Sequence, residues 1–418
     1  MRRLAAIDAQ NWWMSAKLPN DQFLLYGFDG VADDVDAAIA EIGDRARRCP
    51  DLVVHVRDDC RLTYPAWAPR EVGDDQFARY DGELGWIECL DAVAGLADHQ
   101  LDATVTPWRL HVYTRVRGIP GAEPGPGTVA VLQISHALAD GTRASALAAW
   151  LFGRPQQVVA VPSQRVAPAR LPWRAVRAAR THRELVRDTE SGAVPAPAPS
   201  RPVLHSNSAP TGRRWIRTVV RPRARIPGPT VTIGVLAAIS SALAAHLREF
   251  GDDTAELGAE VPMAKPGERL AHNHFANVGV GLYPDLSGAE RVTRIAVDFA
   301  DRRRRAAHPG MAAASRAYAA TPAPLLRWGV AQFDPTVRAP SVTGNTVVSS
   351  VNRGAADLRF GTAGVVVTAG YPSLSLMMGL THGVHGIGET VAVSVHAAES
   401  AVGDVDAYLA RLTAELDG

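Results

Sequence analysis

Two periodicities of apolar and polar residues along the chain distinguish predicted strands from predicted helices. The run 22–28 is apolar enough for a strand and ends at Asp29-Gly30, a turn signal. Either Asp33 or Asp34 can cap the helix that follows, because apolar residues recur at helical spacing over 35–46. The patterns further predict a hairpin over 52–57 and 61–67, a helix over 86–97, strands over 108–116 and 128–134, and a helix over 142–151.

A change of composition in the middle of the chain divides it into two halves. A basic helical stretch over 173–187 precedes the segment 191–212, whose five prolines are typical of an extended, semi-rigid linker. Beyond the linker, the patterns predict a strand over 214–220, a buried helix over 233–247, strands over 257–261 and 278–282, helices rich in Ala and Arg, four strands between 346 and 396, and a closing helix over 405–416.

Both halves mix strands and helices in similar proportion, which predicts an α/β (α+β) protein of two lobes. A chain of 418 residues is too long for one ordinary hydrophobic core, so two units are the default expectation. The predicted boundaries are an N-terminal lobe over 1–188, a Pro-rich crossover linker over 189–212 and a C-terminal lobe over 213–418. Each lobe is expected to hold a mixed sheet with helices.

Composition and charge narrow the classes of function. Apolar residues make up 47% of the chain and charged residues 21%, which is typical of a globular protein. The 44 basic and 43 acidic residues nearly cancel, so no net field favours nucleic acid as a partner.

Cysteine usage and the absence of targeting signals favour a cytoplasmic location. Cys49, Cys60 and Cys89 have no metal-ligand spacing and fit reduced cysteines. The first residues hold no apolar run of signal-peptide length. The most apolar long stretch, 231–247, is interrupted by three hydroxyl residues and fits a buried helix better than a membrane span.

The segment with the clearest chemical signal begins at the end of the predicted strand 128–134. It places His136 after an apolar strand and Asp140-Gly141 at the turn into the next helix. A neutral imidazole on a rigid strand end can take a proton from an attacking hydroxyl at cellular pH. Asp140 suits a structural role, and Gly141 suits a backbone conformation that a Cβ would block. The alternative is a core histidine followed by an ordinary helix-starting turn.

The stretch Ser135-His136-Ala137-Leu138-Ala139-Asp140-Gly141 resembles the His-His-x-x-x-Asp-Gly motif of the bacterial wax ester synthase/diacylglycerol acyltransferase family. That family lies within the superfamily of condensation domains and chloramphenicol acetyltransferase. The second histidine is present as His136, and Ser135 replaces the first. Further segments resemble the family in matching order: 4–9, 106–108, 270–284, 345–352 and the last 40 residues.

The resemblance implies two chloramphenicol-acetyltransferase-like lobes, with acyl-CoA and a hydroxyl acceptor meeting at His136 in a channel between them. Diacylglycerol or a long-chain alcohol is the implied acceptor, and acyl-CoA is a substrate, so no cofactor is expected. A tetrahedral oxyanion needs donors already in place. The residues assigned to that side, or to substrate binding, are Asn345, Ser349, Asn273 and Asn277. For each of them, a backbone-bonding role in a turn or at a strand edge is the alternative.

Departures from the family motif put the implied acceptor in doubt. Ser135 should face away from His136, since neighbouring strand residues point to opposite faces. Ser350 stands where the family has Asn, and Asn352-Arg353 replaces Pro-Gly. A glycolipid or natural-product hydroxyl, a carrier-protein donor, or a non-catalytic acyl-binding relative are therefore kept as alternatives.

Other histidines and basic runs carry weaker signals. His272 and His274 lack acidic or Cys partners at suitable spacing, so no metal is expected. His382 and His385 fall in a Gly-rich stretch that predicts a surface loop, with a place in the substrate channel as the alternative. The basic stretch 174–187 is either a solvated helix or a contact for anionic lipid at the inner membrane face or a lipid droplet.

Overall fold

Two six-stranded sheets with their helices form the body of the protein. The computed structural model describes residues 2–162 and 168–418. The strands are β1 (Arg2–Arg3), β2 (Gln22–Asp29), β3 (Val54–Arg57), β4 (Ala66–Pro69), β5 (Phe77–Gly85), β6 (Trp108–Arg117), β7 (Pro126–Ile134), β8 (Arg214–Pro222), β9 (Gly258–Ala264), β10 (Phe275–Gly281), β11 (Thr346–Asn352), β12 (Arg359–Phe360), β13 (Ala363–Gly370), β14 (Leu380–Ile387) and β15 (Thr390–Ala398). The helices are α1 (Ala6–Ser15), α2 (Val35–Arg47), α3 (Trp86–Leu96), α4 (Gly141–Leu151), α5 (Leu171–Glu190), α6 (Val231–Glu249), α7 (Gly288–Ala306), α8 (Pro309–Tyr318), α9 (Ala323–Gln332), α10 (Glu399–Val402) and α11 (Val405–Asp417).

The first sheet has the strand order β12-β13-β2-β7-β6-β5. β7 lies in its middle, antiparallel to β2 and β6, and every residue of β7 after the first is buried. Burial on both faces explains why this strand is a continuous apolar run in the sequence. The chain leaves the sheet at Ile134, directly before the His136 motif, so the motif is attached to the most buried strand of its lobe.

The second sheet has the order β10-β9-β11-β14-β15-β8, with β11 parallel to both of its neighbours. Behind it lies α6, which Thr230 caps by accepting a hydrogen bond from the Ile233 amide. Within the described residues, α6 is the one helix long and apolar enough to cross a membrane, and 67% of its most apolar window is buried. Its buried side chains belong to the core of this lobe, as expected for an internal helix.

One segment of the C-terminal half pairs with the first sheet, so the two sheets are not built from two contiguous halves of the sequence. After β11 the chain crosses to β12 and β13, where β13 pairs antiparallel with β2 of the first sheet, and then returns as β14. The predicted boundaries 1–188 and 213–418 therefore do not describe the sheets completely, because 359–370 belongs with the first. The division of the chain into two lobes at these boundaries stays a prediction.

The Pro-rich segment between the lobes lies against the second one. Arg201 forms a two-way backbone bridge with Val342, and Arg302 and Arg305 on α7 donate hydrogen bonds to carbonyl groups of the segment. These two arginines of the basic run 301–305 therefore act as anchors for the linker.

Several elements differ from the sequence-based expectation. α1 was not predicted, because its N-cap is Ala5, which makes no side-chain cap. β5 was not predicted because it is a mostly polar edge strand. Five strands occupy 346–398 instead of four. The surface loop expected around His382 and His385 is wrong: both side chains are buried on β14.

Candidate active site

His136 lies just beyond the end of β7 and faces a cavity between the two sheets. The cavity has a volume of about 280 Å³. The motif is held by the hydrogen bond from the Ser135 amide to the Pro107 carbonyl, at 2.8 Å. The Ser135 side chain is buried and its Oγ accepts from the Ala137 amide at 3.4 Å, so it faces away from the cavity as predicted.

Asn273, in the loop between β9 and β10, connects His136 to the second lobe. Its Oδ1 lies 2.8 Å from His136 Nδ1, and its Nδ2 donates to the His136 carbonyl at 2.7 Å. Nδ2 also donates to Asp8 Oδ1 at 2.9 Å, and the backbone amide of Asn273 donates to the same oxygen at 2.9 Å. The imidazole is therefore positioned through Asn273 by a buried carboxylate on α1.

This hydrogen-bond pattern determines which ring nitrogen of His136 carries the proton. The Asp8 carboxylate and the His136 carbonyl can only accept hydrogen bonds. The amide nitrogen of Asn273 must therefore face these two oxygens, and its Oδ1 must face the imidazole ring. Nδ1 therefore carries the hydrogen, and Nε2 keeps its lone pair. Nε2 bonds to none of the described residues, which leaves it free toward the cavity.

Electrostatics around His136 favour the neutral ring. Burial lowers the pKa of His136, and the hydrogen bond to Asn273 and the charge of Asp140 only partly oppose it. Burial likewise raises the pKa of Asp8 to about 6, against the hydrogen bonds from the 272–273 segment. At neutral pH the arrangement holds an unprotonated imidazole whose Nε2 can accept a proton.

Asp140 has the structural role predicted for it. Its Oδ1 accepts from the Arg143 amide at 2.9 Å and so caps α4, while Oδ2 accepts from the His274 amide at 2.8 Å. Arg269 donates from Nη1 to Oδ2 at 2.8 Å. Burial acts to raise the pKa of Asp140, but Arg269 and the two amides outweigh it and lower that pKa. Asp140 thus ties the motif to the loop that carries Asn273.

Gly141 does not adopt the special backbone conformation predicted for it. It is the first residue of α4 and is not among the glycines with positive φ, so the expected special backbone conformation is wrong. An added Cβ would lie 3.4 Å from Val351 Cγ2 and 3.8 Å from Gln22 Oε1. These are ordinary van der Waals distances, so neither backbone conformation nor close packing requires a glycine here.

The predicted residues of the second lobe divide into two groups. Ser349 and Asn277 line the cavity with His136. The Ser349 hydroxyl makes no hydrogen bond within the described part of the chain, whereas Asn277 Nδ2 donates to Glu260 Oε1 at 2.5 Å. Burial raises the pKa of Glu260. Ser349 is therefore the free hydroxyl donor on this side.

Asn345 does not line the cavity, which corrects its assignment to the oxyanion side. It is fully buried and donates from Nδ2 to the Pro202 carbonyl at 2.8 Å, and its Oδ1 accepts from the Gly258 amide at 3.1 Å. Both bonds hold β11 to the linker and to β9. The alternative reading of a backbone-bonding residue is the right one for Asn345.

His272 supports the loop and is not arranged as a metal ligand. Its Nδ1 lies 2.6 Å from the Leu138 carbonyl and its Nε2 lies 2.8 Å from Arg2 Nη2, while its ring stacks on Trp67. Burial lowers its pKa to about 4. No group of three His, Cys, Asp or Glu side chains suited to a metal occurs in the part of the chain that is described.

Sequence reasoning missed Asp8 and Arg269, which fix the motif, and Arg353, which lines the cavity. His385 also lines the cavity, which agrees with the alternative given for it from the sequence. Asp8 lies within the opening segment that resembles the family, but no local pattern connects it to a histidine 128 residues away. Arg353 was noted only as a departure from the family motif.

Comparisons with known proteins establish the fold. No protein-family model and no curated protein matches the chain by sequence. Among solved structures, the chain is similar to the wax ester synthase/diacylglycerol acyltransferase from Marinobacter aquaeolei VT8, with 18% identity, a TM-score of 0.63, and 99% of this chain and 98% of that chain covered. It is also similar to the starter condensation domain of rhizomide synthetase RzmA in complex with C8-CoA, with 12% identity, a TM-score of 0.54, and 99% and 93% covered. The predicted resemblance and the two-lobe α/β fold are thus confirmed at the level of the fold.

Proposed function

We propose that the protein is an acyltransferase that esterifies a hydroxyl acceptor with the acyl group of acyl-CoA, using His136 as general base. The observation that carries this proposal is the hydrogen-bond geometry of His136. Nδ1–H is held by Asn273, and Nε2 faces the cavity with its lone pair free. The likeness in fold to a wax ester synthase and to a domain bound to C8-CoA supports acyl transfer from a thioester.

In the proposed reaction the acceptor hydroxyl lies against His136 Nε2. The nitrogen takes the hydroxyl proton as the oxygen attacks the thioester carbon, giving a tetrahedral oxyanion and an imidazolium. Collapse of the oxyanion forms the ester and breaks the carbon–sulfur bond. The leaving thiolate of CoA then takes the proton from Nε2 and restores the neutral ring.

Stabilisation of the oxyanion is proposed for Ser349, with a weaker role for Asn277. Ser349 is on β11, opposite the motif, and its hydroxyl has no partner in the described chain. A donor already positioned and unused in the resting protein needs no reorganisation when charge develops. Asn277 would first have to leave Glu260.

The polar lining of the cavity bears on the identity of the acceptor. Diacylglycerol and long-chain alcohols are the acceptors implied by the resemblance, yet the cavity lining includes the polar side chains of Glu260, Arg353 and His385. Those groups favour the alternative, an acceptor with its own polar group such as a glycolipid or natural product. A carrier-protein thioester in place of acyl-CoA uses the same chemistry.

Peripheral contact with a membrane or lipid droplet, from the cytoplasmic side, is proposed as well. Trp173 is 64% exposed on α5 and borders a shallow depression with Arg170, Arg174, Arg177 and Arg316. An exposed tryptophan among arginines suits the interface of an anionic membrane. Trp173→Ala should lose co-sedimentation with phosphatidylserine vesicles, and a wild-type protein that stays in the supernatant at low salt would contradict the proposal.

The central experiment is CoA release from a purified acyl-CoA, measured with and without an alcohol. His136→Ala should lower alcohol-dependent release by about 100- to 10,000-fold, while its melting temperature stays near that of the wild type. Alcohol-dependent turnover in the wild type excludes the non-catalytic acyl-binding alternative. Undiminished turnover in His136→Ala would remove the mechanism.

A further inference from the structure

The cavity contains a buried positive charge without a counter-ion. Arg353, which follows β11 directly, is 5% exposed and lines the cavity together with His136. Among residues 2–162 and 168–418, no carboxylate oxygen lies within 4.0 Å of its guanidinium. By contrast, the other arginine of the cavity lining, Arg269, is paired with Asp140.

The hydrogen bonds of Arg353 satisfy only part of its guanidinium. Nη1 donates to the Leu25 carbonyl at 3.3 Å and to the Thr368 hydroxyl, while Nε is buried without any partner. The guanidinium carbon lies 5.0 Å from the centre of the Tyr26 ring, which offsets its charge only weakly. A buried unpaired charge is strongly unfavourable, so its retention in a cavity points to an absent partner.

The groups around the guanidinium are neutral. His385 is 5% exposed, lines the same cavity and has a buried Nδ1 without a partner. Burial and the charge of Arg353 keep the pKa of His385 well below its usual range. Both side chains pack directly against the backbone of Gly370, where an added Cβ would lie 2.7 Å from His385 Cε1 and 2.9 Å from Arg353 Nη2 and would displace them.

The acidic side chains that line the cavity, Asp21, Asp140 and Glu260, are bonded to groups other than Arg353. Asp21 Oδ2 accepts from the Leu101 amide at 2.7 Å and from Gln133 Nε2 at 2.8 Å. Neither carboxylate oxygen of Asp21 lies within 4.0 Å of the Arg353 guanidinium, so the two side chains are not an ion pair.

We propose that Arg353 and His385, which pack against Gly370 on the cavity wall, form a carboxylate-binding subsite for one of the two substrates. The proposal rests on the acyltransferase function and names the class of substrate: one that carries a carboxylate remote from its reacting group. One guanidinium with neutral neighbours matches one negative charge, which favours a carboxylate over a phosphate dianion.

The position of the subsite sets how far the carboxylate lies from the reaction. β13 ends at Gly370 and is two strands away from β7 in the first sheet, roughly 10 Å at ordinary strand spacing. A ligand that reaches both Arg353 and His136 must therefore place several bonds between its carboxylate and its reacting atom. An ω-hydroxy fatty acid as acceptor meets this requirement, and so does an ω-carboxyacyl-CoA as donor.

Binding of the isolated probe is the direct test. Isothermal titration calorimetry on the wild-type chain compares an ω-hydroxy fatty acid with its methyl ester, and an ω-carboxyacyl-CoA with its methyl ester. The carboxylate of one pair should bind about 10- to 100-fold more tightly than its ester, as expected for a charge-assisted hydrogen bond. Preference within the first pair identifies the acceptor, and preference within the second identifies the donor.

Variants show whether the preference comes from this subsite. Arg353→Gln should remove the preference, Arg353→Lys should keep part of it, and Arg359→Gln should leave it intact, since Arg359 is exposed and bonds only the Thr362 carbonyl through its side chain. Gly370→Ala should remove the preference by displacing Arg353 and His385 from their positions. If Arg353→Gln fails to fold, the wild-type comparison and Gly370→Ala still decide.

The outcomes separate this proposal from the acyltransferase function itself. Equal binding of carboxylate and ester in both wild-type pairs would overturn the subsite whether or not the protein transfers acyl groups. A preference that survives Arg353→Gln would overturn it as well. Binding with the expected preference in a protein that transfers no acyl group would instead remove the acyltransferase function and leave the subsite standing.

Discussion

The two sides of the cavity differ in how completely their polar groups are hydrogen-bonded. On the motif side, His136 Nδ1, Asn273, Asp8 and Asp140 all have hydrogen-bond partners, and each buried charge there is bonded. On the side of β11 and β14, Ser349, His385 and Arg353 keep polar atoms without partners.

The difference separates positioning from recognition. A base must be held in one geometry and one tautomer, and only a complete hydrogen-bond network does that. A binding surface needs donors that are free until a ligand arrives, and these lower the stability of the empty protein. Substitutions should therefore have opposite effects on the two sides.

The largest effect is expected from Asn273→Ala on the motif side. The substitution frees the imidazole, removes the acceptor that keeps hydrogen on Nδ1, and leaves Asp8 with one donor fewer. We expect kcat to fall by about 100- to 1,000-fold, with a smaller change in KM.

The matched control for this prediction is Asn277→Ala, an amide of the same loop-and-strand region that does not touch His136. It should lower kcat much less than Asn273→Ala does. A change in KM with kcat retained, or equal losses of kcat in the two variants, would mean that the link from Asp8 to His136 has no role in positioning the base.

The second effect concerns pH and Asp8. The pKa of Asp8 is raised from 3.8 to about 6 in the folded protein, chiefly by burial. A raised pKa in an acid means that the folded state binds the proton more tightly, so stability should fall as pH rises from about 4 to about 6. The loss is on the order of 3 kcal/mol for this one group.

Urea denaturation at several pH values, with wild type and Asp8→Asn, measures this loss. The variant loses hydrogen bonds at every pH, which shifts its curve by a constant, and it should lack the part of the slope due to Asp8. Asp21 has its pKa raised to about 6 as well, so some slope remains in both curves. Parallel curves would contradict the assignment.

The third effect is the loss of the bond between lobes at Asp140. Asp140→Asn keeps an acceptor for the α4 cap but removes the charge that Arg269 neutralises, and the free energy of unfolding should fall by about 2 kcal/mol. Asp406, an exposed partner of Arg217 with 73% side-chain exposure, provides the control, because Asp406→Asn should change stability by under about 1 kcal/mol. Equal losses would show that Asp140 is no more important than a surface pair.

The contrast also explains what could be predicted from the sequence. Apolar periodicity locates β7, α4 and α6, because burial against neighbours imposes that pattern. The motif at His136 is predictable because an apolar strand, the histidine, the Asp140-Gly141 turn and the next helix follow one another in one short stretch of sequence. α1 was not predicted because it has no side-chain cap, and β5 was not predicted because it is a mostly polar edge strand.

Long-range partners could not be predicted in the same way. Asp8 and Asn273 are 265 positions apart, and nothing in either segment specifies the other. Asn345 was misassigned because an amide on a strand that borders a cavity and an amide that bonds the linker have the same sequence signal. The exchange of β12 and β13 into the first sheet is likewise a property of strand pairing between distant segments.

The smallest predicted effect is an increase in the free energy of unfolding. It tests the difference between the two sides of the cavity most directly, because a substitution on the motif side should lower that free energy. Arg353→Met removes an unpaired buried charge and puts an apolar chain of similar length in its place. The Leu25 carbonyl stays satisfied, since Thr368 Oγ1 also donates to it at 2.8 Å, and the main loss is the contact with the Tyr26 ring. The free energy of unfolding of the ligand-free protein should therefore rise by about 1 kcal/mol, measured by urea denaturation. A decrease of that size or more would mean that Arg353 stabilises the fold, and that the open polar atoms on this side are structural.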